Sequence, residues 1–418
     1  IAQPASSETT VYVQNNTTFV LQFDTRSTLG TRYWDRGAAV IPRGKRKAIF
    51  TTNRSDDVTS GETYIFTTEV TSKYFENPYP DNLKLLLKLE GTDFHSNMWH
   101  ALQEQWASRY SWHDDRKQWN GKWRMDNRIA NIKFWSYFTG GDDDIEYVFQ
   151  EEYPLPEGAD GSLSEEWHSQ HLNVLSYNVY MRPTSMFLNG QSQRAGMIPG
   201  KIPGYDVIVF QEAFDDDARA KLFNGLRQNG YPHASMVLGS DRVAEQDGGV
   251  IIASKWPIVT QKEQLFDDVC EGMDCLADKG VLYVKIDKST KQGQPNYFHI
   301  FGTHMNDGDW DIQQQQLDII KNFIGAQSIP PNEAVIIAGD MNIDRENFGH
   351  YEEMLKKMNA GDVGPHPERY SHPYSHDGVI NDLADGSRSK YDYVLYSKDH
   401  RDITRASFSE VRMLRANN

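Results

Sequence analysis

The sequence lacks long apolar runs. No stretch approaches the ~20 apolar residues of a membrane-spanning helix. It also lacks, at its start, the charged and apolar segments of a signal peptide. The first residues, IAQPASSETT, are small and polar and resemble a mature N-terminus after processing. We therefore expect a secreted protein.

Cysteine is scarce. Only Cys270 and Cys275 occur, in the stretch CEGMDC. Such a close pair predicts either a small loop disulfide, as in exported proteins, or two free thiols. A cysteine-based metal site is not expected, because no second cysteine pair or nearby histidine completes a ligand set.

Basic residues are in deficit. Lys and Arg number 43 against 59 Asp and Glu, giving a formal net charge of −16. Most non-specific affinity for nucleic acids comes from contacts between basic side chains and phosphates, so an acidic protein repels such partners. We expect no nucleic-acid partner unless the fold builds a local basic groove.

The chain of 418 residues is too long for one ordinary core, so two domains are expected. The composition changes near residue 155, where YPLPEGADGSLSEE is typical of a linker. We assign a β-rich N-terminal domain to 1–152, a linker to 153–168 and a second domain to 169–418.

Strand-like stretches rich in Val, Ile, Thr, Tyr and Phe fill much of 1–152 and predict a small β-sandwich. The segment 93–123 is rich in tryptophan and is compatible with helix or loop. Its indoles either belong to a core or dock at a membrane interface, where indole is favoured. The residues in question are Trp106, Trp112, Trp119 and Trp123.

Strands and helices alternate in the second domain, and polar residues stand at the strand ends. This order predicts an α/β layered fold with a site at the strand tips. The predicted strands are 172–179, 205–214, 248–258, 280–286, 297–305, 334–342 and 391–397, and the predicted helices are 215–230 and 313–327.

Four strand ends carry Asn178, Glu212, His304, and Asp340 with Asn342. Mg²⁺ prefers carboxylate, carbonyl and water oxygens, which favours Glu212 and Asp340 as anionic ligands and the two asparagines as neutral ones. Side chains alternate along a regular strand, so residues 340 and 342 should face one pocket. His304 is expected to titrate in a useful pH range and to transfer a proton.

Each residue also has a structural explanation when taken singly. Asn178 fits a turn or cap, Glu212 a helix cap, and Asp340 with Asn342 an Asx turn. A histidine near a strand end is structural about as often as catalytic. The functional interpretation depends on all of them occurring together.

Together these motifs resemble the endonuclease/exonuclease/phosphatase superfamily, whose members share the pancreatic-deoxyribonuclease fold. Over 172–400 the finer match is to bacterial neutral sphingomyelinases C. That resemblance implies a four-layer α/β/β/α sandwich preceded by a smaller, mostly β domain. The matching segments are NVYM (178–181), EAFDD (212–216), DGGVIIASKWPI (247–258), ADKGVLYVKI (277–286), FGTHM (301–305), GDMN (339–342) and DYVLYSKDH (392–400).

The resemblance also implies roles for individual residues. Glu212 would be the central Mg²⁺ ligand with Asn178 beside it, and Mn²⁺ or Co²⁺ are alternative cations. Asp340 and Asn342 would hold the phosphate and the attacking water. His304 would stabilise the transition state or protonate the leaving oxygen.

Two further positions follow from the same resemblance. Phe214 and Asp216 lie where the family has an accessory metal region. Cys270 and Cys275 fall in a loop where bacterial relatives carry a disulfide, so a bridge between them is the hypothesis.

One departure concerns the general base. The superfamily closes with a Ser-Asp-His-x-Pro strand, which does not follow DYVLYSKDH here. Asp392 would orient that absent histidine, and we interpret His400 as a surface residue. We expect truncation or cleavage before this element and before the aromatic hairpin beside it, because the other site residues are intact.

The resemblance implies a monomeric, secreted, Mg²⁺-dependent hydrolase that converts sphingomyelin to ceramide and phosphocholine at a membrane surface, as membrane-damaging haemolysins do. Two alternatives stay open. One is another phosphodiesterase or phosphatase of the superfamily, such as a nuclease or a phosphatidylcholine phospholipase C. The other is a membrane-binding protein with impaired catalysis.

Overall fold

The computed structural model divides the chain into two compact units, one formed mainly by residues up to Pro154 and the other mainly by residues from Leu155 onward. The residues described are 8–30, 34–53, 59–73, 83–91, 96–103, 107–114, 116–125, 128–139, 144–159, 169–183, 189–239, 246–289, 295–369, 371–378, 381, 383–405 and 407–414.

The described part of the first unit contains strands and no helix. They are β1 (Glu8–Asn16), β2 (Val20–Leu29), β3 (Trp34–Arg36), β4 (Val40–Ile41), β5 (Arg46–Asn53), β6 (Thr63–Lys73), β7 (Leu83–Gly91), β8 (Ser96–Gln103), β9 (Lys117–Met125), β10 (Arg128–Thr139) and β11 (Asp144–Glu152).

These strands form a sandwich of two sheets, ordered β3-β5-β1-β11-β10-β9 and β4-β2-β6-β7-β8. Burial alternates along β1, as expected for a strand with one face on a core. The core joins Val13 and Phe149 of the first sheet to Phe66 and Leu87 of the second. The predicted mostly β N-terminal region is therefore confirmed.

The chain changes sheets between β1 and β2. Asn15 is fully buried and fixes this corner. Its Nδ2 atom donates to the carbonyl oxygens of Phe19 and Ile41 at 2.8 and 3.1 Å, and its Oδ1 atom accepts from the Thr17 amide at 3.0 Å. At a corner the backbone groups lose the hydrogen bonds of a regular strand pair. The buried Asn15 side chain replaces those partners.

The tryptophan-rich segment contains strands β8 and β9 rather than a helix. Trp112 is partly buried, 5.3 Å from the Lys88 ammonium and edge-on to Tyr110. Trp106 and the side chains of Trp119 and Trp123 lie outside the described residues. A membrane-docking role for these indoles stays a prediction.

In the second unit, strands and helices alternate. The strands are β12 (Val174–Met181), β13 (Val207–Ala213), β14 (His233–Ala234), β15 (Ile251–Ser254), β16 (Ile258–Leu265), β17 (Gly280–Asp287), β18 (Tyr297–His304), β19 (Ala334–Asp340), β20 (Ala360–Asp362), β21 (His376–Asp377), β22 (Arg388–Ser389) and β23 (Asp392–Ser397). The α-helices are α1 (Gln191–Met197), α2 (Asp216–Gln228), α3 (Trp310–Ala326) and α4 (Phe348–Met358).

Two of its sheets, ordered β12-β13-β15-β14 and β16-β17-β18-β19-β23-β20, pack face to face. Val209 and Ile252 of the first sheet share a core with Val284 and Ile336 of the second. Strands β13 and β19 are buried along their whole length, which explains their unbroken apolar sequences.

Helices cover the outer face of each of these sheets. Leu222 and Phe223 of α2 pack with Phe210 of β13, and Leu317 of α3 and Met354 of α4 share a core with strand residues of the other sheet. This is the predicted α/β/β/α arrangement. Among the described residues, none of the helices has the length and apolar character that a membrane span requires.

Local capping explains where the helices begin. The side chains of Asp215 and Asp309 accept hydrogen bonds from the amides of Ala218 and Ile312, at 2.9 and 2.8 Å. They occupy the N-cap positions of α2 and α3, where a carboxylate satisfies an amide that lacks a partner within the helix. The acidic run after Phe214 therefore has a structural function at the start of α2.

A buried ion pair joins the start of β13 to the end of β17. Lys288 and Asp206 are 1% and 5% exposed, with Nζ and Oδ2 3.2 Å apart. Asp206 also accepts from the Asn173 amide and the Trp256 indole, at 2.9 and 3.1 Å. Burial lowers the pKa of Lys288, and Asp206 opposes that shift.

We predict that Asp206→Asn lowers the free energy of unfolding by about 3 kcal/mol, because it leaves the Lys288 ammonium buried without its counter-charge. Guanidinium unfolding measures the change. The matched control, Asp318→Asn, breaks the more exposed Lys357–Asp318 pair and should cost less than about 1 kcal/mol. Equal costs for the two variants would contradict this interpretation.

Candidate active site

The predicted site residues converge at one edge of the two facing sheets. Asn178 and Glu212 stand at the ends of the parallel strands β12 and β13. In the other sheet, Asp340 lies beside His304 of β18 and opposite Asp392 of β23. Residues that are far apart in the sequence therefore lie together in one cluster.

The backbone turns sharply where three of these strands end. Tyr180, Glu212 and Asn342 have φ angles of 49°, 55° and 50°, in the left-handed region that side chains other than glycine rarely adopt. The pairing of β12 with β13 shifts register between Asn178 and Met181. Such conformations persist only where the surrounding structure enforces them, and they are concentrated at functional sites.

The Asn178 amide joins the two sheets of the site. Its Nδ2 atom donates to Glu212 Oε1 at 2.8 Å and to Asp340 Oδ2 at 3.1 Å. Its Oδ1 atom accepts from the Tyr180 amide at 3.0 Å. In this arrangement Asn178 acts as a hydrogen-bond donor to both carboxylates, and its oxygen does not face them as a metal ligand would.

The cluster concentrates buried negative charge. Glu212 and Asp340 are 8% and 7% exposed. Burial raises the pKa of Glu212, and the charge of Asp340 adds to the rise, while Asn178 and Arg182 oppose it. Burial likewise raises the pKa of Asp340, against hydrogen bonds from Asn178 and the Asn342 amide. Burial and then Asp340 raise the pKa of Asp392 well above its ordinary value.

Asn342 reaches the site by a different route from the predicted one. Strand β19 ends at Asp340, so the two side chains do not share the face of a regular strand, and that part of the prediction is wrong. The Asn342 amide instead donates to Asp340 Oδ1 at 3.0 Å, an Asx turn. Its Nδ2 atom donates to the Met305 carbonyl oxygen at 2.9 Å, which ties the ends of β18 and β19 together.

His304 is a buried imidazole, 6% exposed. Burial, and then the charges of Lys279 and Arg182, lower its pKa well below the ordinary value. This differs from the prediction that it titrates in a useful pH range. Its Nδ1 atom has no hydrogen-bond partner among the described residues, and a buried ring nitrogen in that state is suited to accept or donate a bond to a substrate.

Two cations of the site are not among the residues predicted from the sequence. Lys279 is 5% exposed, and its Nζ atom lies 2.7 Å from Asp274 Oδ1, 2.8 Å from the Met305 carbonyl oxygen and 3.5 Å from His304 Nε2. Arg182 Nε lies 3.4 Å from Glu212 Oε2. Both follow from motifs already recognised, since Lys279 stands within ADKG and Arg182 directly after NVYM.

Asp392 is placed as a support for a group that the described residues do not supply. The Ser375 hydroxyl accepts from its amide at 3.0 Å and lowers the pKa of its carboxyl group, but its Oδ1 atom is buried without a partner in the described ranges. His400 lies away from this position, partly buried and bonded to the Ser397 hydroxyl at 2.9 Å.

The disulfide Cys270–Cys275 is present, with an S–S distance of 2.01 Å. Of the two alternatives from the sequence, the loop disulfide is confirmed. Asp216 makes an ion pair with Arg219 on α2 with its carboxylate largely exposed, and Phe214 packs against the backbone at Gly249. An accessory metal region at Phe214 and Asp216 stays a prediction.

The donor set fits one hard divalent cation. Within the described ranges, no three His, Cys, Asp or Glu side chains are grouped as a metal cluster. Glu212 and Asp340 nevertheless place two carboxylates within reach of one amide group, and burial raises the pKa of both. A divalent cation would offset the repulsion between the two carboxylates. Mg²⁺ is suited to such a site, because it prefers oxygen ligands and fills its remaining coordination positions with water.

The sequence profile of the Endonuclease/Exonuclease/phosphatase family matches residues 175–412, more than half of the chain. The chain belongs to this family. The match contains every member of the cluster described above. At the level of the family, the prediction of a hydrolase acting on phosphate esters is confirmed.

Curated relatives narrow the comparison to one branch of the family. Sphingomyelinase C from Bacillus cereus is 33% identical over 263 residues, which cover 55% of this chain and 76% of that protein. Sphingomyelinase C 2 from Leptospira interrogans is 33% identical over 279 residues, covering 59% of this chain but only 43% of that relative.

Among solved structures, a β-hairpin deletion mutant of beta toxin from Staphylococcus aureus matches with a TM-score of 0.53 and 31% identity. It covers 59% of this chain and 93% of that one. The resemblance to bacterial sphingomyelinases C and the predicted fold class are therefore confirmed.

We predict that Lys279→Met raises the pKa of His304, because one of the two cations that oppose imidazole protonation is removed. NMR titration of the His304 ring in the metal-free protein measures the shift. Lys262→Met, at an exposed lysine bonded to Gln327, is the matched control and should leave that pKa unchanged. A His304 pKa that is the same in all three proteins would contradict the assigned proximity.

Proposed function

We propose that the protein is a divalent-metal-dependent phosphodiesterase that hydrolyses sphingomyelin to ceramide and phosphocholine. The observation that carries the proposal is the buried pair of Glu212 and Asp340, bridged by Asn178 and placed beside His304. The similarity to sphingomyelinases C supports the choice of substrate. The match covers only 43% of the Leptospira relative, so the proposal applies to the matched domain.

Glu212, Asp340, Asn178 and Asn342 supply the oxygens that would hold Mg²⁺, with Mn²⁺ and Co²⁺ as alternatives. Asn178 would have to present its amide oxygen, which here accepts from Tyr180. When bound, the cation would neutralise charge on the phosphoryl oxygens and favour departure of the ceramide oxygen. The protein's own contribution is to hold these groups in fixed positions before the substrate arrives.

Other residues of the site would orient the water and bind the phosphate. Asp340 and Asn342 are locked in one Asx turn and would orient the attacking water in line with the leaving oxygen. His304, whose Nδ1 atom has no hydrogen-bond partner in the described part of the chain, would bond to a phosphoryl oxygen or the leaving oxygen. The Lys279 ammonium lies beside His304 and pairs with Asp274. There it would attract the negatively charged phosphate of the substrate.

Asp392 would accept a hydrogen bond from the group that activates the water, through its unpartnered Oδ1 atom. Burial, and then the charge of Asp340, raise the pKa of Asp392. A cationic partner beside its carboxyl group would lower that pKa.

The cellular setting is part of the same proposal. A disulfide in a loop beside the site suits an oxidising, extracellular environment. We accordingly propose a secreted enzyme that acts as a monomer at sphingomyelin-containing membranes and damages them. Nucleic acid is disfavoured as a substrate by the net charge of −16.

We predict that Glu212→Gln lowers kcat/KM for sphingomyelin in detergent micelles by roughly 10²- to 10³-fold, or about 3 to 4 kcal/mol of transition-state stabilisation. Phosphocholine release measures the rate. Glu352→Gln, at an exposed position of α4, is the matched control and should retain full activity. Wild-type protein that cleaves plasmid DNA but not sphingomyelin would refute the proposed substrate.

Metal binding has a separate readout. We predict that Mg²⁺ at about 100 times its dissociation constant stabilises the wild type by about 2.7 kcal/mol and leaves Glu212→Gln little changed. Thermal unfolding with and without the cation measures this. Equal stabilisation of both proteins would place the cation elsewhere.

A further inference from the structure

The most exposed large apolar side chains in the described part of the chain are Met273 and Phe348, at 69% and 68%. Single exposed apolar residues are common on protein surfaces. These two, however, both lie on segments next to the candidate site. Met273 precedes Lys279 by six residues, and Phe348 follows Asn342 by six. Leu276, 44% exposed, accompanies Met273. We call these three side chains the apolar rim.

The turn that carries Met273 and Leu276 is fixed to the site. The disulfide Cys270–Cys275 closes it. The Glu271 amide donates to Asn306 Oδ1 at 2.9 Å, and the Asp307 amide donates to Asp274 Oδ2 at 2.7 Å. Asn306 and Asp307 follow β18, which ends at His304, with only Met305 between them. The backbone of the turn is therefore fixed before docking, so that covering its exposed apolar side chains costs no further ordering of the backbone.

Phe348 is fixed to the same end of the sheet. It is the first residue of α4, whose N-cap is Asn347. The His350 ring stacks on Trp310, the first residue of α3, with ring centres 4.0 Å apart. Since α3 begins three residues after Asp307, the stack of His350 on Trp310 places the start of α4 beside the segment that holds the Met273 turn.

The polar surroundings of the rim are mainly acidic. Asp268, Glu271, Asp307 and Glu346 are exposed on the same segments. The neighbouring Arg345 is bonded to Asp362 and Tyr351. An acidic border repels anionic lipid and complements the quaternary ammonium of choline.

We propose that the apolar rim of Met273, Leu276 and Phe348 docks the active-site end on a phosphocholine-headed bilayer surface. The three side chains enter the interfacial region of the lipid, and the acidic border faces the choline groups. This inference rests on the proposed function, because it concerns how the same site meets a lipid substrate. The docking surface consists of residues that the catalytic assignment does not use.

Sedimentation with vesicles of pure phosphatidylcholine in EDTA tests docking without requiring hydrolysis. The double variant Met273→Ser/Phe348→Ser should bind at least tenfold more weakly than the wild type. Val259→Ser removes an apolar side chain of similar exposure, 50%, from β16 and should bind like the wild type. The conservative variant Met273→Leu/Phe348→Leu should retain binding, because it preserves apolar surface.

Several results would overturn the proposal. They are a serine double variant that binds as tightly as the wild type, a leucine variant that binds as weakly as the serine one, and wild-type binding that requires anionic lipid. Wild-type turnover of sphingomyelin in detergent micelles reports on the proposed function separately. Loss of docking with retained micellar turnover supports both proposals, and absence of micellar turnover counts against the proposed function alone.

Discussion

The site depends on the close approach of three carboxylates, of which Glu212 and Asp340 are almost closed to solvent and Asp392 is partly buried. Glu212, Asp340 and Asp392 meet across two sheets, and each has its pKa raised by burial. Lys279 and Arg182 compensate this charge only in part. Such a cluster is costly without a cation. The proposed function relieves this cost with a divalent cation, which would in turn attract a phosphate group.

Strand ends carry this arrangement because a regular strand cannot. Left-handed residues at Tyr180, Glu212 and Asn342 break the alternation of side chains and turn the polar groups toward one another. The apolar strands behind them are buried throughout, so the strain at their ends is borne by a large core. Each strand thus has a rigid, buried body and carries its polar site residues at its end.

The order of strands and helices predicted an α/β layered domain, and the family resemblance of the motifs implied its α/β/β/α form. Residue types at the strand ends were sufficient to name the carboxylates and amides of the cluster, but not its cations. The geometry of Asn342 was not predictable from period-two alternation, because an Asx turn and a positive φ follow Asp340. Lys279 was missed because its partners, Asp274 and Met305, become neighbours only through the fold. The lowered pKa of His304 depends on burial, which the sequence does not state.

The central claim is that Glu212 and Asp340 hold one divalent cation. Anomalous diffraction from crystals of the protein grown with Mn²⁺ tests it most directly. We expect a single strong peak within coordination distance of the Glu212 carboxylate, with the Asn178 amide turned so that its oxygen faces the ion. A cluster without any anomalous peak at saturating Mn²⁺, or a peak only at a position remote from both carboxylates, would contradict it.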